Sequence, residues 1–132
     1  YETYSKAINI EARTMIDVAS KQIIPAVIKY TKNLADSVNA VVSAGILDVD
    51  VQTELLRDTS ALLKDTRDAL NHLKDVAKTA AVMEEGKERA FYYREKVMPA
   101  MEALRRPVDE LEMIVDKEIW PMPSYGDLLF DV

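Results

Sequence analysis

Cysteine is absent from this 132-residue chain, histidine occurs once and glycine three times. Without thiols there is no disulfide, no thiolate metal site and no cysteine nucleophile, a usage compatible with a reducing compartment. A single imidazole cannot assemble the ligand sets usual for zinc or for the carboxylate-and-histidine dimetal bundles within one chain. There is no glycine-rich phosphate cradle, and so little glycine argues against a fold built from strands and tight turns. No apolar run approaches the about 20 residues that span a bilayer, and the N-terminus lacks a basic-then-apolar signal pattern. A net charge of -6, with acidic and basic residues interleaved, offers no positive face to a phosphate backbone. Neither nucleic acid nor a membrane is expected as a partner.

What the chain does have is apolar side chain, 48% of its residues, in Ala, Leu and Val set among Glu, Lys and Asp. That is the composition of long helices, in a chain of the size of one domain with a single core. The apolar positions Ile8, Ala12, Met15, Ala19, Ile23, Ala26, Tyr30, Leu34, Val38 and Val41 recur at steps of three and four, predicting a first helix over about 4–44. Pro25 lies inside it, so a kink near Gln22 to Ile24, or two abutting helices, is expected. Gly45 followed by Ile46 reads as a left-handed helix stop.

Asp48 and Asp50 are N-cap candidates for a second helix over about 51–84. Its row Leu55, Thr59, Leu62, Thr66, Ala69, Leu73, Val76 and Ala80 is flanked by Leu56, Leu63, Leu70 and Ala77, a stripe wide enough to touch two neighbours. After Gly86, the positions Ala90, Tyr93, Val97, Ala100, Leu104, Leu111 and Ile114 define a third helix over about 87–117, interrupted by Pro99 and Pro107. Its outer face carries Glu102, Arg106 and Glu110 at four-residue steps. Short connections make such helices antiparallel neighbours. The expected fold is therefore all-α: one elongated up-down-up bundle of three long helices, kinked at prolines, with an extended aromatic tail over 118–132.

Chemistry is sparse along these helices. His72 stands four residues after Asp68, and the ordinary reading is a surface pair rather than an oriented general base. Asp48-Val49-Asp50-Val51-Gln52-Thr53 imitates the start of a calcium loop, but Thr53 and Thr59 stand where such a loop needs glycine and glutamate. Glu84, Glu85 and Glu88 read as a charged helix junction. Phe91-Tyr92-Tyr93 fan out by about 100° per residue and cannot form one stacking platform. No catalytic, cofactor-binding or metal-ligating residue is assigned. The tail is different, because Trp120, Met122, Tyr125, Leu128 and Phe130 are costly to leave in water, at about 1.5 to 3 kcal/mol for each large apolar side chain. Aromatic and methionine anchors dominate interface energetics, so these five are the expected contact residues.

The blocks Asn9-Ile10-Glu11-Ala12-Arg13-Thr14-Met15-Ile16-Asp17, Gln22-Ile23-Ile24-Pro25-Ala26-Val27, Met101-Glu102-Ala103-Leu104-Arg105 and Trp120-Pro121-Met122-Pro123-Ser124-Tyr125-Gly126-Asp127-Leu128-Leu129-Phe130 occur in this order. Together they resemble the C-terminal helical domain of type III glutamine synthetases. The resemblance implies a parent enzyme of the cytoplasm that ligates ammonia to glutamate with ATP and Mg or Mn, assembled as a homo-oligomer. It also implies that the catalytic motifs lie upstream of the matched region, so that no cofactor is expected on this chain. Its start at Tyr1, directly in helical periodicity, fits a piece of a longer protein. The expected partners are then the upstream catalytic domain and neighbouring subunits. The competing reading is a free-standing helical-bundle interaction module.

Overall fold

The computed structural model describes residues 2–122. They form three helical rods. The first comprises α1 (Glu2–Val18), a π-helical turn (Ala19–Ile23) and α2 (Ile24–Ser43). The second is α3 (Asp50–Ala81), 32 residues and therefore about 48 Å long. The third comprises α4 (Lys87–Tyr92), a second π-helical turn (Tyr93–Val97) and α5 (Met98–Ile114). No strand occurs among the described residues.

Three side-chain contacts fix how the first and third rods run. Tyr4 Oη donates to Met98 Sδ at 3.1 Å, Arg105 reaches Glu11 at 2.7 Å, and Tyr30 Oη donates to the Ile114 carbonyl at 3.3 Å. The partners rise together in number, so the two rods are parallel, and α3 returns between them with its most extensive contacts to α5 and α2. This is the expected up-down-up bundle. The core follows the predicted stripes: Ile8, Ala12 and Ala19 meet Leu70, Leu73, Val76 and Ala80, with Tyr93, Val97, Ala100, Met101 and Leu104. Both predicted rows of the middle helix are used, because it packs on two neighbours.

The prolines neither break the rods nor end them. In each rod a π turn finishes two residues before the proline, Ile23 before Pro25 and Val97 before Pro99, so each proline occupies the first turn of the following α-helix. There the missing amide hydrogen is tolerated. The wider turn also solves a register problem. Met15, Ala19, Ile23 and Val27 are spaced by four, and in a regular α-helix each such step overshoots by about 40°. The inserted π turn absorbs the overshoot and holds Ala19, Ile23 and Val27 on the buried face. Val27, rather than the predicted Ala26, is consequently the buried residue. Pro107 sits inside α5 with no π turn and is itself buried.

The ends are set by backbone chemistry. Gly45, at φ 90°, closes the first rod: its amide donates to the Val42 carbonyl at 2.9 Å and that of Ile46 to Val41 at 3.2 Å, the paired bonds of a Schellman stop. The cap of α3 differs from expectation. Val49 occupies the N-cap without any side-chain bond, and Asp50 lies in the first turn, where its charge faces the positive end of the helix dipole. The third rod stops at Ile114 rather than near 117 because Val115 turns extended and buries its side chain. Asp116 then organises a turn, accepting from the Glu118 amide at 2.9 Å through its carboxylate and from the Trp120 amide at 3.0 Å through its carbonyl.

Gly86 takes φ 142° and ψ -164° at the start of the third rod. Such backbone is nearly exclusive to glycine, and a Cβ there meets no neighbour within 4 Å, so the cost of a side chain is purely conformational. Gly86→Ala is expected to lower unfolding free energy by about 1 to 3 kcal/mol, and Gly45→Ala by about 1 to 2 kcal/mol. Denaturant titration checks both, and Gly45→Asn should recover part of the loss because asparagine tolerates left-handed backbone.

Candidate functional site

Among the described residues the side chains suited to chemistry do not converge. His72 is exposed on α3, and the nearby Asp68 carboxylate accepts from Lys64 Nζ at 2.9 Å instead. That bond, with the attraction of Asp68 behind it, raises the Lys64 ammonium above its ordinary value. Lys32 is raised in the same way by Asp36, at 2.7 Å. Both lysines are fully exposed, so these are surface i,i+4 pairs of little energetic weight. Among the described residues, Glu84, Glu85 and Glu88 included, no group of three His, Asp or Glu side chains could hold a metal ion. The aromatic run fans out as expected: Phe91 is exposed, Tyr92 half-buried and Tyr93 fully buried. On the outer face Glu102, Arg106 and Glu110 form no ladder of pairs; Arg105 instead bridges Glu102 and Glu11.

Of the five expected contact residues, the structure describes two. Trp120 is buried, 8% exposed, in a second apolar cluster with Ile23, Val27, Leu111 and Val115. Its Nε1 donates to Glu112 Oε2 at 2.9 Å. The turn at Asp116 makes this possible by sending the chain back along the groove between the first and third rods, where the indole closes the end of the three-rod region. Met122 is 39% exposed and stands at the rim of a further stretch of that groove, a cavity of about 240 Å³ walled by Met15, Val18, Ala19, Ile23, Leu104 and Val108. Tyr125, Leu128 and Phe130 lie outside the described residues. Periodicity alone missed the pairing of Trp120 with Glu112; the signal available was a carboxylate in the last turn of a helix followed by a tryptophan, and it is a weak one.

Tyr30 completes this end. Its hydroxyl donates to the last helical carbonyl of α5, and burial, then the negative Asp116, pushes the phenol above its ordinary value of 10.0.

Comparison with known proteins agrees with the residue blocks quoted above. Residues 1–42 match the family model described as the glutamine synthetase C-terminal domain. The chain is 31% identical to a glutamine synthetase of Bacteroides fragilis (strain YCH46), over 98% of this chain and 18% of the relative. It is 31% identical to a glutamine synthetase of Butyrivibrio fibrisolvens, over 99% of this chain and 19% of the relative. A type-3 glutamine synthetase of Dictyostelium discoideum is 28% identical over 98% of this chain and 18% of the relative. The chain thus spans under a fifth of the length of the curated relatives it matches.

Two outcomes follow from the geometry around Trp120. Trp120→Ala is expected to destabilise the bundle by about 3 to 5 kcal/mol, the usual cost of emptying a large buried site. Glu112→Ala should cost nearer 1 kcal/mol, since it removes one hydrogen bond at a partly wet edge; thermal melts of the two variants check the ranking. For Tyr30 the linkage sign is that of a phenol with a raised native pKa. Its stabilising contribution is complete below pH 10, where folded and unfolded phenols are both protonated, and is lost as pH rises through the raised native value. Tyr30→Phe should therefore lose less stability than the wild type between about pH 9 and pH 11, measured by urea titration at each pH.

Proposed function

We propose that this chain, a member of the C-terminal helical domain family of type III glutamine synthetases, is a non-catalytic structural and assembly element of such an enzyme. The observation that carries the reading is the similarity over 98% to 99% of the chain to glutamine synthetases of which it spans only 18% to 19%. The reaction would be the ATP-dependent ligation of ammonia to glutamate, in the cytoplasm, with Mg or Mn. Among the described residues no set of three carboxylate or imidazole groups that could hold a metal ion converges. No step of the reaction is derived from them.

What the bundle offers instead is rigid length and apolar surface. Its partners are the catalytic region of the same polypeptide and neighbouring subunits. Met122, Tyr125, Leu128 and Phe130 are the contact residues of the tail, while Trp120 anchors the start of that tail to the bundle.

The test is glutamine formation by the product of the complete reading frame, with and without these 132 residues. Synthesis that collapses on truncation, together with a smaller assembly by light scattering, is the expected result. Undiminished synthesis from an unchanged assembly would reduce the domain to an accessory, and a complete product that makes no glutamine would remove the reading. Phe130→Ala in the complete protein should weaken docking by about 2 kcal/mol, seen as a shift in the concentration at which the assembly dissociates.

A further inference from the structure

The three-rod region stops short of one end of the molecule. α5 finishes at Ile114, level with Tyr30 on α2, and Met113 and Ile114 border the same surface hollow as Asp58 and Leu62 on α3. Beyond that level α2 continues to Ser43 and α3 begins at Asp50, so about 20 Å of two-helix hairpin projects without a third neighbour among the described residues. The chain after α5 does not cover it among the described residues, because the turn at Asp116 sends Trp120 back to Ile23 and Val27. From Ile28 to Asp58 no residue is buried.

The composition of this projection is nevertheless that of a core. Between residues 33 and 56 it carries ten Val, Leu and Ile side chains. Six are half-buried at the two-helix seam. The other four are exposed: Val42 by 41%, Ile46 by 54%, Leu47 by 81% and Val51 by 68%. Scattered single apolar residues are normal on a surface, but a contiguous set at one end marks an interaction site. The charge there is one-sided. No Lys, Arg or His occurs between Lys32 and Arg57, while Asp36, Asp48, Asp50 and Glu54 do. Asp36 pairs with Lys32 at the base of the tip, which leaves Asp48, Asp50 and Glu54 without a cation among the described residues, whereas elsewhere acidic and basic residues alternate and pair.

The geometry points to the tip of the hairpin, residues 33–56, as a docking surface for a protein surface that is apolar at its centre and lined with Lys or Arg at its rim, belonging to the larger enzyme. A second copy of the tip is a poor occupant, since a self-complementary contact would set three uncompensated carboxylates, Asp48, Asp50 and Glu54, against the same three. The inference rests on the reading of this chain as part of a larger glutamine synthetase. It adds to the tail a second contact about 20 Å beyond the end of the third rod.

The chain's lack of cysteine provides the test. In the complete protein, Leu47→Cys places a thiol on a side chain that packing does not hold, and its rate of alkylation is read at the tip peptide against the same variant unfolded in denaturant. At low salt the thiol is expected to react at least about tenfold more slowly than when unfolded, a contact free energy of about 1.4 kcal/mol or more. Raising salt from about 0.01 M to about 0.5 M should erode the protection, because the screening length shortens from about 30 Å to a few ångströms. The triple reversal Asp48→Lys, Asp50→Lys and Glu54→Lys should abolish it while leaving the Trp120 emission spectrum unchanged. An equal rate in native and unfolded protein at low salt would overturn the inference, as would protection that survives charge reversal. Protection that grows with protein concentration alongside crosslinking between L47C thiols would also overturn it, by assigning the tip to a second copy. Glutamine formation is measured on the same preparation. Activity with an unprotected tip defeats this inference alone, whereas a protected tip in a protein that makes no glutamine defeats the functional reading and leaves the contact standing.

Discussion

Each of the two parallel rods must carry a proline through its middle and still present one continuous apolar face to the rod between them. A regular helix cannot do both, since the proline removes a donor and its ring meets the carbonyl four residues back. One π turn ahead of Pro25 and another ahead of Pro99 answer both demands. They place each proline in a first turn, where its donor is not needed, and they realign the four-residue spacing of Ala19, Ile23 and Val27 and of Tyr93, Val97 and Met101. The rest of the structure depends on this adjustment. Without it the stripe on the first rod would rotate away from Leu111 and Val115, and Trp120 would have no pocket to close.

The sequence exposed most of this architecture because amphipathic periodicity is a local signal that packing reinforces. The buried positions Ile8, Ala12 and Ala19, Leu70, Leu73, Val76 and Ala80, and Tyr93, Val97 and Leu104 all lie on rows visible in the residue order. The stop at Gly45 was equally legible, since only a residue without Cβ takes that backbone cheaply. What escaped the pattern was non-local. The exchange of Ala26 for Val27 comes from a one-residue insertion in helical phase that a fixed period cannot show. The bare N-cap at Val49, the early end at Ile114 and the bond from Trp120 to Glu112 each depend on where the chain goes afterwards. The candidate site was less legible than the fold. Residue type marked Trp120 and Met122 as anchors, but only coordinates separate an indole turned into its own bundle from a methionine at the rim of a groove.

The distribution of polar atoms in the core bears on how rigid that bundle is. Thr66 satisfies its hydroxyl on the Leu62 carbonyl at 2.8 Å. Thr59 and Tyr93 have no protein partner for theirs although both are fully buried. A buried hydroxyl left without a partner costs about 1 to 3 kcal/mol, which the packing around it has to offset. Thr59 marks the last fully buried position before the hairpin projects alone, so the transition from core to tip occurs within one helical turn.

That transition explains how a tip without a core can still be helical. Nucleating a helix is the unfavourable step, and extending one already formed adds a hydrogen bond for each residue fixed. Because α2 and α3 are nucleated and held within the three-rod region, their continuations to Ser43 and from Asp50 need no second nucleus. The Schellman stop at Gly45 then ties the loop to the end of α2. The same logic makes the projection the least stable part of the bundle, because its hydrogen bonds are exposed and few apolar contacts back them. Two helices extended this far gain little from each other. Their persistence as a paired, acidic, apolar projection is intelligible when the surface they present has a second use, since the binding of a complementary surface would supply the burial that the third rod does not reach far enough to give.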